Sequence, residues 1–235
     1  MDPRLVLNVA SAAAGVFALC RLIIAGAHRT YPWFATYLAA AALQSFGWLA
    51  GGPKDHLYIV VWASSTAFLL GLRIVIVIEL WHRLNANPRV AAISRSFTWI
   101  ILLMALAVSA ASGLDSLKFF GIDSHRVAYY SISLASRYSS SALCVICSSL
   151  AILSLMFPRG VSKNALRHAF LLTAYFASIA AGFLVMNFYR GSAPLVGALL
   201  AGSSAGLYVL WGVMVSKPGE RVPAGFPALS QAELG

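Results

Sequence analysis

The sequence predicts an all-α polytopic membrane protein, a bundle of seven transmembrane helices. Hydrophobic residues make up 60% of the 235 residues and charged residues only 10%, and the mean hydropathy is +0.81. A soluble domain is about 45 to 50% apolar and about 25% charged, so its surface has no room for this many apolar side chains. Composition therefore excludes a soluble globular protein, and it excludes a disordered chain for the same reason.

Seven apolar runs give the helix count. They are Leu5–Gly26, Tyr31–Gly51, Leu57–Leu80, Phe97–Gly113, Val127–Phe157, Ala169–Tyr189 and Ala193–Val215. About 20 helical residues cross a hydrocarbon core of about 30 Å, so six runs are long enough and the fourth is marginal. The fifth run is longer than a single crossing requires, and we expect it to tilt or to project beyond the bilayer. Barrel strands are excluded because the runs do not alternate in polarity.

The first two runs carry signals near their starts. The segment 1–4 is not a distinctly positive leader, and apolar residues continue past Arg21, so we interpret the first run as a helix and not as a signal peptide. The second run opens with Tyr31, Pro32 and Trp33. A proline is harmless in the first turn of a helix, and aromatic rings favour the membrane interface, so this is the expected start of a spanning helix.

Basic residues are distributed unequally between the predicted loops. With the N-terminus outside, nine lie in inner loops and the tail: Arg29, Arg83, Arg89, Arg95, Arg159, Lys163, Arg167, Lys217 and Arg221. Five lie outside: Arg4, Lys54, Lys118, Arg126 and Arg190. Cytoplasmic loops are enriched in Lys and Arg, so we predict an N-terminus outside and a cytoplasmic C-terminus. Residues 1–215 are then one transmembrane domain, and 216–235 are a short Pro- and Gly-rich cytoplasmic tail.

The formal net charge of +10 does not indicate a nucleic-acid partner. The 17 basic residues are scattered singly between apolar runs and form no basic stripe. The expected partners are the lipid bilayer and either a second copy of the chain or other membrane subunits. No Asn-x-Ser/Thr acceptor occurs in the sequence, which favours a bacterial cytoplasmic (inner) membrane over a glycosylating route.

Patterns that would hold a cofactor or metal are missing from the sequence. A retinal Schiff base needs a lysine inside a helix, and the four lysines lie in predicted loops. Haem needs axial histidines at mid-membrane, whereas the five histidines lie at helix ends or in loops without metal-site spacing. We therefore expect no cofactor, no metal and no catalytic residue.

A glycine-rich stretch in the seventh run has two interpretations. Gly202-Ser203-Ser204-Ala205-Gly206 matches the Gly-x-Ser-x-Gly motif of serine hydrolases, but that motif functions at a strand-to-helix turn with a histidine and an acid nearby. Here the stretch lies inside an apolar helix. Gly197, Gly202 and Gly206 share a small-residue face that allows close approach of another helix, so we predict that they serve helix packing.

Two arginines lie within predicted membrane depth. An ionised side chain there costs at least about 2.5 to 3.5 kcal/mol on insertion scales. The presence of Arg73 and Arg137 at this depth therefore indicates a structural or functional role. Glu79 is the only acid in any run. It lies about 120° around the helix from Arg73 and is better placed to pair with Arg83 at i+4. Neither buried arginine therefore has an evident acidic partner.

Polar stripes on the predicted helices suggest where these arginines act. Ser133, Arg137 and Ser140 follow one helix face, and Tyr37, Ala41, Gln44 and Trp48 follow another. Polar faces turn away from lipid, so we predict an interior ligand site. Its residues are Arg137, Arg73, Gln44, Ser133, Ser140 and Asn187. An arginine fork suits a carboxylate or phosphate. In the alternative interpretation, both arginines bond carbonyls, hydroxyls or lipid phosphates and only hold helices together.

Three function classes remain open from the sequence. The preferred one is a non-catalytic seven-helix module, either a sensor or a subunit of a larger membrane assembly. The second is a transporter of a small, possibly anionic, solute with a polar central site around Arg137. The third is a membrane-embedded enzyme, which ranks last because the sequence contains no activated nucleophile, metal set or paired acids.

Overall fold

A computed structural model describes residues 3–51, 56–84, 99–100, 103–104, 107, 124–156, 161–189 and 193–220. Apart from short turns, these residues are helical, and no strand occurs among them. The six long helices are α1 (Pro3–Ile24), α2 (Pro32–Gly51), α3 (His56–Leu84), α4 (Ser124–Met156), α5 (Lys163–Phe188) and α6 (Ala193–Met214). Short 3₁₀ turns occupy Ala27–Arg29 and Lys217–Glu220.

Five of these helices are long and apolar enough to cross a membrane. The spans are Val6–Ile24, Ser64–Leu84, Leu134–Met156, Lys163–Met186 and Leu195–Met214, in α1, α3, α4, α5 and α6. The all-helical, membrane-spanning class is therefore confirmed. The predicted fourth run, 97–113, lies outside the described residues except for helical positions 99–100, 103–104 and 107. The count of seven helices stays a prediction.

One helix boundary differs clearly from the sequence prediction. The predicted run began at Ala169, but α5 begins at Lys163. Ser162 caps the helix, its Oγ accepting a hydrogen bond from the backbone N–H of Ala165 at 3.1 Å. An apolar run misses this first turn because the turn contains Lys163, Asn164 and Arg167.

The helices form a closed ring. Each packs on the next in the order α1, α2, α3, α4, α5, α6, and α6 packs extensively against α1. α3 also contacts α5 across the ring. Side chains from α2, α3, α5 and α6 can therefore meet at the centre, and this geometry positions the site described below.

Contacts at one end of the ring fix the helix directions. Arg21 Nε, near the end of α1, donates to the Gly212 carbonyl near the end of α6 at 3.0 Å. Arg83 Nη2, near the end of α3, donates to the Thr30 carbonyl just before α2 at 2.7 Å. α1, α3 and α6 therefore run together, with α2 antiparallel to them.

α4 runs in the same direction as α3. Asn164 in the first turn of α5 donates from Nδ2 to the Ser216 carbonyl, just beyond α6, at 2.8 Å. α5 therefore begins where α6 ends, and α4, whose last residue Met156 closely precedes Lys163 in the sequence, ends there as well. α3 also ends there, so α3 and α4 are parallel.

We call this the basic end, after Arg21, Arg29, Arg83, Lys163, Arg167 and Lys217. Arg167 resembles Arg21 in its role, since its Nη1 donates to the Met214 carbonyl at 2.5 Å. The last carbonyls of α6 are thus capped from two neighbouring helices, as cationic groups favour at a helix C-terminus. Whether the basic end faces the cytoplasm, as the loop charges predict, is a matter of orientation and stays a prediction.

Aromatic rings fill the core near the basic end. Trp211 and Phe34 are each only 1% exposed, and they surround His168 together with Tyr31. Trp211 Nε1 donates to His168 Nδ1 at 3.0 Å. The sequence predicted His168 at a helix end or in a loop; it lies instead within α5, as a buried core residue that links α5 to α6.

The outward surface is apolar. Large exposed side chains include Leu43, Ile24, Leu195, Leu199 and Val213. An apolar exterior around a polar centre is the arrangement that a bilayer requires, and it indicates direct contact with lipid.

Candidate functional site

Arg73 lies at the centre of the ring and is only partly bonded. It sits on α3, one turn after Leu69, and its Nη2 donates to the Tyr175 hydroxyl at 3.2 Å. Its guanidinium carbon lies 5.6 Å from the Tyr175 ring centre and 6.0 Å from the Tyr37 ring centre. Nε and Nη1 are both screened from solvent and have no hydrogen-bond partner among the described residues. Two of the three guanidinium nitrogens are therefore unsatisfied.

Three tyrosine hydroxyls meet beside this guanidinium. Tyr37 Oη lies 2.5 Å from Tyr175 Oη and 3.4 Å from Tyr208 Oη. The three hydroxyls carry three hydrogens, and these two contacts use two of them whichever oxygen donates. At least one O–H hydrogen is therefore left over. We call Arg73 and the three tyrosines the donor cluster.

Helical spacing explains why the tyrosines point inward. Tyr37 follows the buried Phe34 by three residues, and Tyr208 precedes the buried Trp211 by three. Residues three or four apart share a helix face. The tyrosine rings thus continue the apolar core of the basic end, while their hydroxyls reach the centre of the ring.

A cavity of about 130 Å³ borders the donor cluster. Its lining comes from α1, α2, α3, α5 and α6. The lining residues are Ser11, Ala12, Gly15, Tyr37, Ala41, Ala42, Gln44, Ser45, Leu69, Arg73, Tyr175, Ser204 and Tyr208. An engineered apolar cavity of about 150 Å³ holds one benzene molecule, so this one has the size for a solute of about six non-hydrogen atoms.

The cavity has two chemically different ends. Gln44 lies seven residues beyond Tyr37 on α2, which is about 10.5 Å along a helix. Ser204 lies one turn before Tyr208 on α6, and Ser11 one turn before Gly15 on α1. Given the helix directions, all three polar residues lie on the side of the donor cluster away from the basic end. We call this part the amide end.

Gln44 has used both of its amide hydrogens. Its Nε2 donates to Ser65 Oγ at 2.9 Å and to Thr66 Oγ1 at 2.8 Å, so it also holds α2 against α3. Ser45 has likewise turned its hydroxyl hydrogen to the Ala41 carbonyl at 2.9 Å. The Gln44 side chain thus has its carbonyl oxygen, an acceptor, left for a ligand.

The charge of Arg73 lacks a neutralising acid nearby. An arginine stays ionised in proteins, and no Asp or Glu is among the described residues that line the cavity. Glu79, on the same helix, does not line the cavity: it lies near the backbone of Trp33 and Phe34 at the start of α2 and near Arg83. A carboxylate at a helix N-terminus is favourable there, and it makes Glu79 a link between α2 and α3.

The structure brings together only some of the predicted site residues. Arg73 and Gln44 line the same cavity. Arg137 and Ser140 are buried on α4, which contributes nothing to that lining. Arg137 has polar contacts of its own. The side chains of Ser133 and Asn187 lie outside the described residues, so their assignment to a site stays a prediction.

Several cavity residues were not predicted from the sequence. Tyr175 and Tyr208 appear in ordinary apolar runs, and Ser11 and Ser204 read as small packing residues. One signal was available for Tyr175: it follows His168 by seven residues, two turns on the same face. Nothing in a single sequence shows that this face meets Arg73.

The glycines predicted for helix packing have different surroundings. A Cβ atom at Gly197 or Gly206 would meet nothing within 4 Å, and one at Gly202 would lie 3.8 Å from a Leu7 methyl. Close packing on α6 occurs at Gly212, where a Cβ would lie 2.5 Å from Cε1 of Phe17 on α1. Of the three predicted glycines, Gly202 has the closest described contact, and a role of Gly197 and Gly206 in helix packing stays a prediction.

Comparison with models of known protein families, with characterised proteins and with solved structures found no match. Within the described residues, no group of three His, Cys, Asp or Glu side chains is placed to hold a metal ion. The residues of the site itself therefore indicate its chemistry.

Proposed function

We propose that this integral membrane protein is a non-catalytic binding module that takes up a small anionic solute in the cavity beside Arg73. One observation carries the proposal: a guanidinium at the centre of a membrane bundle borders a cavity and has two nitrogens without a partner. A bound anion would supply the missing counter-charge and an acceptor for one of the two free nitrogens, paired in a fork with the second hydrogen of Nη2. In this proposal the central arginine of the predicted ligand site is Arg73 and not Arg137.

Binding involves a small movement of the arginine. Nε and Nη1 are screened from solvent, so the guanidinium turns toward the cavity to meet the anion. Arginine presents N–H groups in a planar fork, and this fork forms paired hydrogen bonds with an oxyanion. The neighbouring tyrosine rings hold the guanidinium by cation–π contacts in either position.

The test is anion binding to the purified protein in lipid nanodiscs. Acetate, propionate, lactate, chloride and phosphate are titrated by calorimetry at constant ionic strength. Saturable binding of at least one small anion is expected. Arg73→Gln should weaken it by about 10- to 150-fold, the equivalent of the roughly 1.5 to 3 kcal/mol of a charged hydrogen bond.

The matched control is Arg137→Gln, which removes the other buried arginine and should leave binding unchanged. Loss of binding in Arg137→Gln, with Arg73→Gln unaffected, would return the site to α4 and contradict the proposal. Failure of the wild-type protein to bind any of the five anions would also contradict it.

Transport is a second candidate, and the shape of the cavity favours it. Polar residues from α1, α2 and α6 extend the cavity from the donor cluster toward the amide end, along the bundle axis. Uptake into proteoliposomes above the empty-vesicle level, abolished by Arg73→Gln, would support a transporter. Binding without uptake would support a sensor or subunit.

We also propose that the site does no chemistry on its ligand. The described lining residues include no histidine, cysteine, aspartate or glutamate, the usual proton-transfer groups and nucleophiles. The bound solute should be recovered unchanged by mass spectrometry after prolonged incubation with the protein. Assembly as a homo-oligomer or with other subunits, and residence in a bacterial inner membrane, are further proposals. Native mass spectrometry and membrane fractionation test them.

A further inference from the structure

We infer that the anion is a small hydroxycarboxylate carrying a single negative charge, with its carboxylate on the donor cluster and its hydroxyl group at the amide end. This inference rests on the proposed function and narrows it to one ligand class. It follows from charge, from the balance of donors and acceptors, and from size.

Charge selects a monoanion. Arg73 is the one cation among the described residues that line the cavity, and no second arginine, lysine or histidine faces it there. A divalent oxyanion would bring one uncompensated charge into a site inside the bilayer, where an unpaired charge is costly. The doubly charged form of inorganic phosphate and dicarboxylates are therefore disfavoured relative to a singly charged ligand.

Donor geometry selects a carboxylate among monoanions. The guanidinium offers a planar pair of N–H groups, and the three tyrosines leave at least one O–H hydrogen beside it. Two carboxylate oxygens can accept all of these hydrogens on one side. Chloride can accept from both N–H groups of the fork, but a single atom beside Arg73 leaves the amide end of the cavity without a partner.

The amide end offers acceptors for a hydrogen-bond donor on the ligand. The Gln44 carbonyl oxygen remains as an acceptor after both amide hydrogens go to α3. The nearby hydroxyls of Ser11 and Ser204 can accept as well as donate. A purely apolar ligand tail would leave these groups dry and unsatisfied, whereas a hydroxyl group gives each a partner.

A neutral hydroxyl fits this end better than an ammonium group. No carboxylate is among the described residues around Gln44, Ser11 and Ser204 that line the cavity, so the charge of an amino acid would be unmatched there. Size then limits the chain to about six non-hydrogen atoms. Lactate and 3-hydroxypropionate both have that size, and of the two only 3-hydroxypropionate carries its hydroxyl at the opposite end of the chain from its carboxylate.

The experiment compares lactate, 3-hydroxypropionate, propionate, alanine and phosphate on the wild-type protein in nanodiscs by calorimetry. We expect at least one hydroxy acid to bind about five- to tenfold more tightly than propionate, the effect of about one hydrogen bond. Alanine and phosphate should bind more weakly than propionate.

Two variants assign the preference to the amide end. Ser204→Ala and Gln44→Met each remove a polar group from the cavity, and each should lower the ratio of hydroxy-acid to propionate affinity toward one. Circular dichroism that shows wild-type helix content establishes that each variant is folded. A ratio unchanged in both variants would overturn the assignment of the hydroxyl to this end.

The outcomes separate this inference from the proposed function. If propionate binds as tightly as both hydroxy acids, or if phosphate or alanine binds most tightly, the ligand class is wrong while anion binding at Arg73 stands. If none of the anions binds, the proposed function fails and this inference fails with it.

Discussion

Replacing Arg73 by methionine tests whether its charge is truly unpaired. Methionine keeps an unbranched chain but loses the hydrogen bond to Tyr175, worth about 1.5 to 3 kcal/mol for a charged donor. It also loses cation–π contacts with two rings at 5.6 and 6.0 Å, worth about 0.5 to 1 kcal/mol each. Against these losses stands the removal of a buried charge, which costs about 2.5 to 3.5 kcal/mol on insertion scales.

These contributions nearly cancel, so the ligand-free Arg73→Met protein should unfold with a free energy within about 1 kcal/mol of the wild-type value. Removing one partner from a buried ion pair has a different outcome, a loss of about 3 to 5 kcal/mol. The assay is equilibrium unfolding in mixed micelles, in a buffer whose anion is too large for the cavity. A loss above about 3 kcal/mol would refute the conclusion that Arg73 lacks a counter-ion.

Arg137→Met is the comparison variant. Arg137 is buried on α4 and has polar contacts. Its replacement removes these contacts, and a buried polar group that loses its partner costs about 1 to 3 kcal/mol. We therefore expect Arg137→Met to be the less stable variant, although only Arg73→Met should lose anion binding. Equal anion affinity in the two variants would contradict the division of roles between the two arginines.

Further predictions concern helix packing and the core, and unfolding in mixed micelles checks each of them. Gly212→Val should destabilise the protein by about 1 to 3 kcal/mol because its side chain would meet Phe17. Gly206→Val on the same helix points into open space and should change stability by less than about 0.5 kcal/mol; equal effects would contradict this packing. Trp211→Phe should cost about 1 to 3 kcal/mol because it leaves His168 Nδ1 without its donor, and wild-type stability would show that this bond contributes nothing.

The helices were largely predictable because hydrophobicity over a span of 20 residues is a strong signal. The predicted second run ended at Gly51 and the seventh began at Ala193, as α2 and α6 do. The start of α5 was predicted six residues too late because Ser162 caps a turn rich in polar residues. Hydropathy does not detect such a turn, since capping depends on one side-chain oxygen.

The site was predictable only in part. A charge in an apolar run marked both Arg73 and Arg137 for attention, and the stripe through Tyr37 and Gln44 pointed to α2. Depth along a helix can be counted from a sequence, but which neighbour a face meets depends on the order of helices in the ring. That order places Tyr208 of α6 beside Arg73 of α3. No local sequence pattern predicts the order of the helices.

The packing of α6 against α1 has a consequence for biogenesis. α6 supplies Tyr208 and Ser204, so the cavity wall stays incomplete until this helix has been synthesised and inserted. Until then Arg73 lacks the α6 side chains that border it in the complete protein. A chain that ends before α6 would therefore lack Tyr208 and Ser204 beside Arg73, and insertion of α6 encloses that charge in the same step that completes the cavity.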